Sequence, residues 1–249
     1  MTGHAIHIIG IDCAVDPTNV GLTFAITDRS GARLLDADIG EHHEGVVDQV
    51  AAWIARTETT LLALDTPLGW PRDIGITLAT HKAGEFIDRN ANMLFRRETD
   101  RKVRKMVGVQ SLDVGADRIA RTALAALKLL DDIRTKTKLP IPLAWEPKDL
   151  KRTQVIEVYP AATLAAHGLP HTGYKDSDQR GVRRKIIKGL SQYLALGDES
   201  GALAEDAHVL DAALCVLAGI DFINGEAVAP DNLAIAWQEG WIWTRPVVV

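Results

Sequence analysis

His7-Ile8-Ile9-Gly10-Ile11-Asp12-Cys13-Ala14 is an apolar run that meets a carboxylate after a few residues, with glycine and small residues around it. That pattern predicts a buried strand presenting one acid at its working end. A second run, Leu61-Leu62-Ala63-Leu64, also ends on an acid, Asp65, and is broken at once by Thr66-Pro67-Leu68-Gly69-Trp70-Pro71. Two buried strands delivering aspartates to one sheet edge would bring like charges together, which is unfavourable unless a cation binds or a proton is retained. The pair therefore points to a metal site.

The residues between the two runs set their relative direction. Asp16-Pro17-Thr18-Asn19 is turn-forming, residues 20–27 read as a second strand, Asp28-Arg29-Ser30-Gly31 as a second turn and residues 32–39 as a third strand. Short turns between strands predict an antiparallel meander. Residues 46–56 place Val46, Val47, Val50, Trp53 and Ile54 at helical spacing. A helix between strands predicts a crossover, so the Asp65 strand runs parallel to the first and both acids lie at its C-terminal edge.

From residue 66 to 152 no convincing strand is found. Residues 73–86 predict a helix despite Gly75, and residues 116–135 an amphipathic one built on Ile119, Leu124, Leu127 and Leu130. Between them Arg96, Arg97, Arg101, Lys102, Arg104 and Lys105 crowd one segment, tempered by Glu98 and Asp100. Pro140, Pro142 and Pro147 close the region as a loop. Lacking a sheet of its own, it reads as a helical insertion or cap within a single domain spanning residues 1–249. Residues 153–160 resume the sheet as a fifth strand bearing Glu157. Helices follow at 161–167, at 180–196 with a basic face, and at 205–223. Residues 234–237 and 241–244, joined by Gln238-Glu239-Gly240, predict a tryptophan-rich closing hairpin.

With 47% hydrophobic and 24% charged residues the chain has an ordinary globular composition. Cys13 and Cys215, far apart among apolar neighbours, are expected to be buried free thiols, which suits a reducing cytoplasm. The N-terminus lacks the pattern of a signal peptide, and the apolar stretch at 212–220 is too short to span a bilayer, so no membrane role is expected. A net charge of −5 argues against nonspecific coating of nucleic acid, while the basic segment leaves room for a local groove. A homo-oligomer is compatible with all of this.

The last long helix reads Glu205-Asp206-Ala207-His208-Val209-Leu210-Asp211-Ala212-Ala213-Leu214. His208 and Asp211 are three apart and share a face, and the small residues after them allow close packing on a sheet. An acid there would complete a cage with Asp12 and Asp65. The element order resembles the ribonuclease H-like superfamily, an α/β fold with three antiparallel strands followed by parallel ones in a five-stranded mixed sheet flanked by helices. More closely, Ile11-Asp12-Cys13-Ala14, Asp65-Thr66-Pro67-Leu68-Gly69-Trp70-Pro71, the segment 97–104, Glu157-Val158-Tyr159-Pro160 and residues 206–214 resemble a bacterial and archaeal family known as domain of unknown function 429, described as predicted nucleases. The likeness runs from about residue 8 to 218.

That resemblance implies that Asp12 is the central metal-bridging acid, Asp65 its partner and Asp211 the helix-borne ligand. His208 or Asp206 would assist as a further ligand or proton carrier. Glu157 belongs to the family motif but has no counterpart in the simplest ribonuclease H pattern. The implied chemistry is phosphodiester hydrolysis of a nucleic acid or a small phosphodiester. Hard carboxylate oxygens suit Mg²⁺ or Mn²⁺, and two such ions roughly 4 Å apart can activate water and stabilise the leaving oxygen. Arg97, Arg101 and Arg104 would hold phosphate bidentately.

Plainer readings stand beside these. A lone strand-end aspartate commonly shapes a turn, and Asp206 suits the first turn of a helix. Arg97, Asp100, Arg101 and Arg104 have spacings for salt bridges among themselves. Trp70, Tyr159, Trp237, Trp241 and Trp243 suit packing as well as base stacking. Two other functions fit the same strand order. A nucleotide phosphohydrolase or kinase-like enzyme needs glycine-rich phosphate loops, and residues 13–21 are poor in glycine. A noncatalytic binding module would keep the fold without converging acids.

Overall fold

Strand β1 (Ile6–Asp12) sends Ile8 to one face and Ile9 and Ile11 to the other, the period of two that a pleated strand imposes. All three are fully buried, so helices cover both faces, and this is why the strand reads as one apolar run. In the computed structural model, which describes residues 5–115 and 117–247, β2 (Gly21–Asp28) and β3 (Gly31–Ile39) extend β1 as the expected antiparallel meander. Helix α1 (His43–Ile54) buries the five predicted apolar residues and crosses to β4 (Thr60–Asp65), parallel to β1.

Four helices follow: α2 (Arg72–Leu78), α3 (Ala91–Phe95), α4 (Glu98–Val107) and α5 (Asp117–Thr137). Strand β5 (Thr153–Val158) then pairs parallel with β4. After α6 (Pro160–Ala166) and α7 (Arg180–Leu190), a two-residue strand β6 (Leu194–Ala195) pairs parallel with β3 at the far edge. Helices α8 (Ser200–Glu205), α9 (Ala207–Ile223) and α10 (Leu233–Glu239) end the succession. The sheet order is β5-β4-β1-β2-β3-β6. This is the ribonuclease H-like arrangement, with six strands where five were expected; two residues are too short a run to register as a strand in sequence.

One face of the sheet packs on α1 and α5, the other on α9. Helix α9 is buried from Val209 to Phe222, because α6, α7 and α8 also pack against it. It approaches the sheet so closely that a Cβ at Gly10 would lie 2.0 Å from the Ala212 carbonyl oxygen, and one at Gly21 2.0 Å from that of His208. Those two glycines let the His208–Ala212 stretch sit directly on β1 and β2.

Several boundaries differ from expectation. The helix predicted at 73–86 stops at Leu78, and the chain beyond it includes Gly84 at φ +87°. Helix α5 buries Ala123, Ala126, Leu129, Leu130 and Ile133, leaving Leu124 exposed, so the buried stripe is displaced from the one inferred. The helix expected at 180–196 ends at Leu190, and the one expected at 205–223 forms but starts at Ala207, with Asp206 as its N-cap and Glu205 ending the short α8. The closing hairpin is not formed. Asn232 accepts from the amides of Ala234 and Ile235 and starts α10 where a strand was expected, while Ile242 bridges to Glu157. Cys13 and Cys215 are free and buried, as expected. Among the described residues no helix is long and apolar enough to cross a membrane.

Candidate metal centre

The alternation that buries Ile8 also aims Asp12 at α9, and on β4 the same parity groups Leu61, Ala63 and Asp65. Asp12 and Asp65 are register partners on adjacent parallel strands. Asp211 lies on the stretch of α9 that rests on Gly10 and Gly21. One carboxylate oxygen from each of Asp12, Asp65 and Asp211 lies within 4.8 Å of the others. Burial and the Asp12 charge push the Asp65 carboxyl well above the usual range. Burial raises Asp211 to about 6, against the pull of a nearby lysine.

That lysine was not foreseen. The loop between α6 and α7 places Tyr174 and Lys175 over Asp211. The Tyr174 hydroxyl donates to Asp211 Oδ1 at 2.7 Å, and Lys175 Nζ lies 2.5 Å from Oδ2. That contact is a short ion pair, so Tyr174 and Lys175 between them occupy both oxygens of Asp211. Burial opposes the lysine charge, but Asp211, Asp65 and Asp12 together hold its pKa above the ordinary value. On the other side of the cluster, His208 Nδ1 is 2.7 Å from Asp12 Oδ2, and that hydrogen bond raises the histidine pKa. Three hard carboxylate oxygens brought within 4.8 Å of one another are the donor set that suits a divalent cation.

The remaining candidates lie elsewhere. Asp206 caps α9, accepting from the amides of His208 at 2.7 Å and Val209 at 3.3 Å, so it orients the helix rather than joining the cluster. Glu157 pairs in register with Leu64, not with Asp65, and so points to the opposite face of the sheet. There it meets Arg97, whose Nη1 and Nη2 donate to Glu157 at 2.9 and 2.6 Å. Burial pushes the Glu157 carboxyl up against the pull of Arg97 and of the Leu68 amide at 2.9 Å, and these partners are all donors, which is what a carboxylate accepts. Arg97 spends its other N–H groups on Asp100 and the Glu239 carbonyl and is fully buried, leaving nothing for a phosphate. Arg101 donates to the carbonyls of Arg96 and Asn92, and Arg104 to Gln110 Oε1, each retaining further donors.

The cluster makes stability depend on pH in a definite direction. Asp65 and Asp211 hold protons in the folded, metal-free protein at pH values where an unfolded aspartate, with a pKa of about 3.9, has released them. Their contribution is fully present below about pH 4 and is lost as pH rises through about 6 at Asp211. In chelator, the melting temperature of wild type should therefore fall relative to that of Asp211→Asn between about pH 4 and pH 7. A difference that stays constant across this window would mean that burial does not raise the Asp211 carboxyl in the folded protein.

Comparison with known proteins gives a family match. The model of the family described as "Protein of unknown function (DUF429)" matches residues 10–234. No curated protein matches. A solved structure described as T. thermophilus RuvC in complex with Holliday junction substrate aligns at 13% identity over 85% of this chain and 90% of that chain, with a TM-score of 0.36. A likeness at that score says nothing about activity.

Proposed function

Because the chain belongs to the DUF429 family, whose name records no activity, we propose a function from the site itself: divalent-metal-dependent hydrolysis of phosphodiesters, with nucleic acid as the substrate class. The observation that favours it is the convergence of Asp12, Asp65 and Asp211 within 4.8 Å, two on neighbouring strands and one on the helix packed over them. These three side chains would hold Mg²⁺ or Mn²⁺. A bound divalent ion supplies charge neutralisation at the phosphate and a more acidic water. The chain's own residues do the rest. Tyr174 fixes one oxygen of Asp211, and Lys175 pairs with the other. His208, half exposed and linked to Asp12, is the proton carrier on the solvent side, able to protonate the departing oxygen as the P–O bond breaks. Arg101 and Arg104, with free donors on α4, suit the flanking phosphates.

One observation favours a second reading. Lys175 already supplies a positive charge at Asp211, as a noncatalytic binding module that had replaced its ion would require. The kinase-like alternative gains nothing: the β1–β2 connection is a short 3-10 turn at Pro17–Asn19, not a glycine-rich phosphate cradle. Labelled single-stranded, duplex, hybrid and junction substrates, with bis(p-nitrophenyl) phosphate as a small phosphodiester, should be incubated with Mg²⁺ or Mn²⁺. Cleavage of at least one, abolished by chelator, is the expected result. Intact substrates throughout, with either ion, would sink the proposal.

A further inference from the structure

We infer that Lys175 is the place-holding cation of the carboxylate cluster, seated at Asp211 when no divalent ion is bound and expelled when one enters. This deepens the metal-dependent reading and rests on it. Lys175 Nζ sits 2.5 Å from Asp211 Oδ2, the oxygen that Tyr174 does not reach, so the ammonium pairs with the cluster at an oxygen that an incoming ion would need. It also lies 5.8 Å from the centroid of the Tyr174 ring, a favourable but weak position for a cation.

The loop around it is built to let that side chain leave while its backbone stays. Buried Arg183 grips the loop from beneath, donating from Nη1 to the carbonyls of Tyr174 and Asp176, both at 2.8 Å, and from Nη2 to that of Ser177 at 3.3 Å. Its Nε is anchored on the Ala204 carbonyl at 2.8 Å. The backbone on both sides of Lys175 is thereby fixed. The lysine side chain itself is 60% exposed, so rotation about its own bonds carries the ammonium into water without disturbing the bond from Tyr174 to Asp211. A single charge held by a flexible four-carbon stem is readily displaced by a doubly charged ion that three carboxylates share.

Competition of this kind lowers the apparent affinity for the ion by the fraction of molecules in which the site is already filled. Removing the competitor should therefore tighten binding, whereas removing an assisting group should weaken it. The test is a Mn²⁺ titration by calorimetry on wild type, K175M and K175R, with thermal melts in chelator. K175M should bind Mn²⁺ at least about tenfold more tightly and melt lower than wild type in chelator, because its carboxylates are then uncompensated. K175R, which keeps the charge, should stay within about threefold of wild type. Equal or weaker Mn²⁺ binding by K175M would overturn the place-holder while leaving the proposed hydrolysis standing. No Mn²⁺ binding by any of the three would overturn both, and binding by K175M alone would show a permanent occupant, overturning the exchange and the wild-type activity together.

Discussion

Asp12→Asn should abolish cleavage and yet raise the melting temperature of the metal-free protein. Asp12 stands beside Asp65 in register and within 4.8 Å of both other acids, so its removal takes away a shared ligand. Loss of one preorganised electrostatic contributor at a reacting centre lowers the rate on the order of 10³-fold. Stability should move the other way. Burial and then the Asp12 charge are what hold Asp65 so far above the ordinary carboxylate range, and asparagine relieves the second of these. The bond to His208 is a small loss, because that imidazole is half exposed and its pairing is weak in water. A gain of roughly 2–4 °C is expected in chelator, the response of a chain of this size to about 1 kcal/mol. Full activity in this variant, or a lower melting temperature, would return Asp12 to the ordinary role of a strand-end acid that holds a histidine in place.

The two acid-bearing strands are legible in sequence because their apolar runs are continuous, and burial on both faces produces such runs. Asp211 is legible for a related reason: an acid followed by Ala212 and Ala213 in an otherwise apolar helix has few places to go but a tightly packed seam. Parity across strands is not legible. Glu157 follows Val155 as Asp65 follows Ala63, and only the register, with Val158 and not Glu157 beside Asp65, shows that the two acids face opposite ways. Lys175 was missed because nothing periodic marks it. It follows Gly173 and Tyr174 in a loop, where the only signal available is that loop residues supported by a rigid scaffold commonly carry function. Trp237 and its neighbours misled because tryptophan favours strands, whereas the decisive residue is Asn232, which caps a helix before propensity can act.

The basic segment raises the last case, since charge alone suggested a clamp and burial reverses the meaning of the charge. Arg97 makes five hydrogen bonds beyond its backbone, to Asp100, Glu157 and the Glu239 carbonyl, all inside the protein. The Glu239 carboxylate meanwhile accepts from the Arg72 amide at 2.8 Å and the Glu98 amide at 2.7 Å, capping α2 and α4 together. Through Glu157 the same network reaches the Leu68 amide, three residues beyond Asp65. Arg97 thus ties the helical segment, the sheet and the loop after Asp65 into one unit. Truncating it strands two buried carboxylates. Breaking a buried ion pair in this way costs about 3–5 kcal/mol, so Arg97→Met should lower the melting temperature by roughly 6–20 °C. Adding Asp100→Asn and Glu157→Gln to Arg97→Met should restore part of the loss, because the penalty lies in the uncompensated charges and not in the missing contact. A phosphate-binding arginine predicts the opposite pattern, with an unchanged melt, a raised KM and no rescue by the neutral partners. If Arg97→Met melts like wild type, Arg97 is not the internal tie that its five bonds describe.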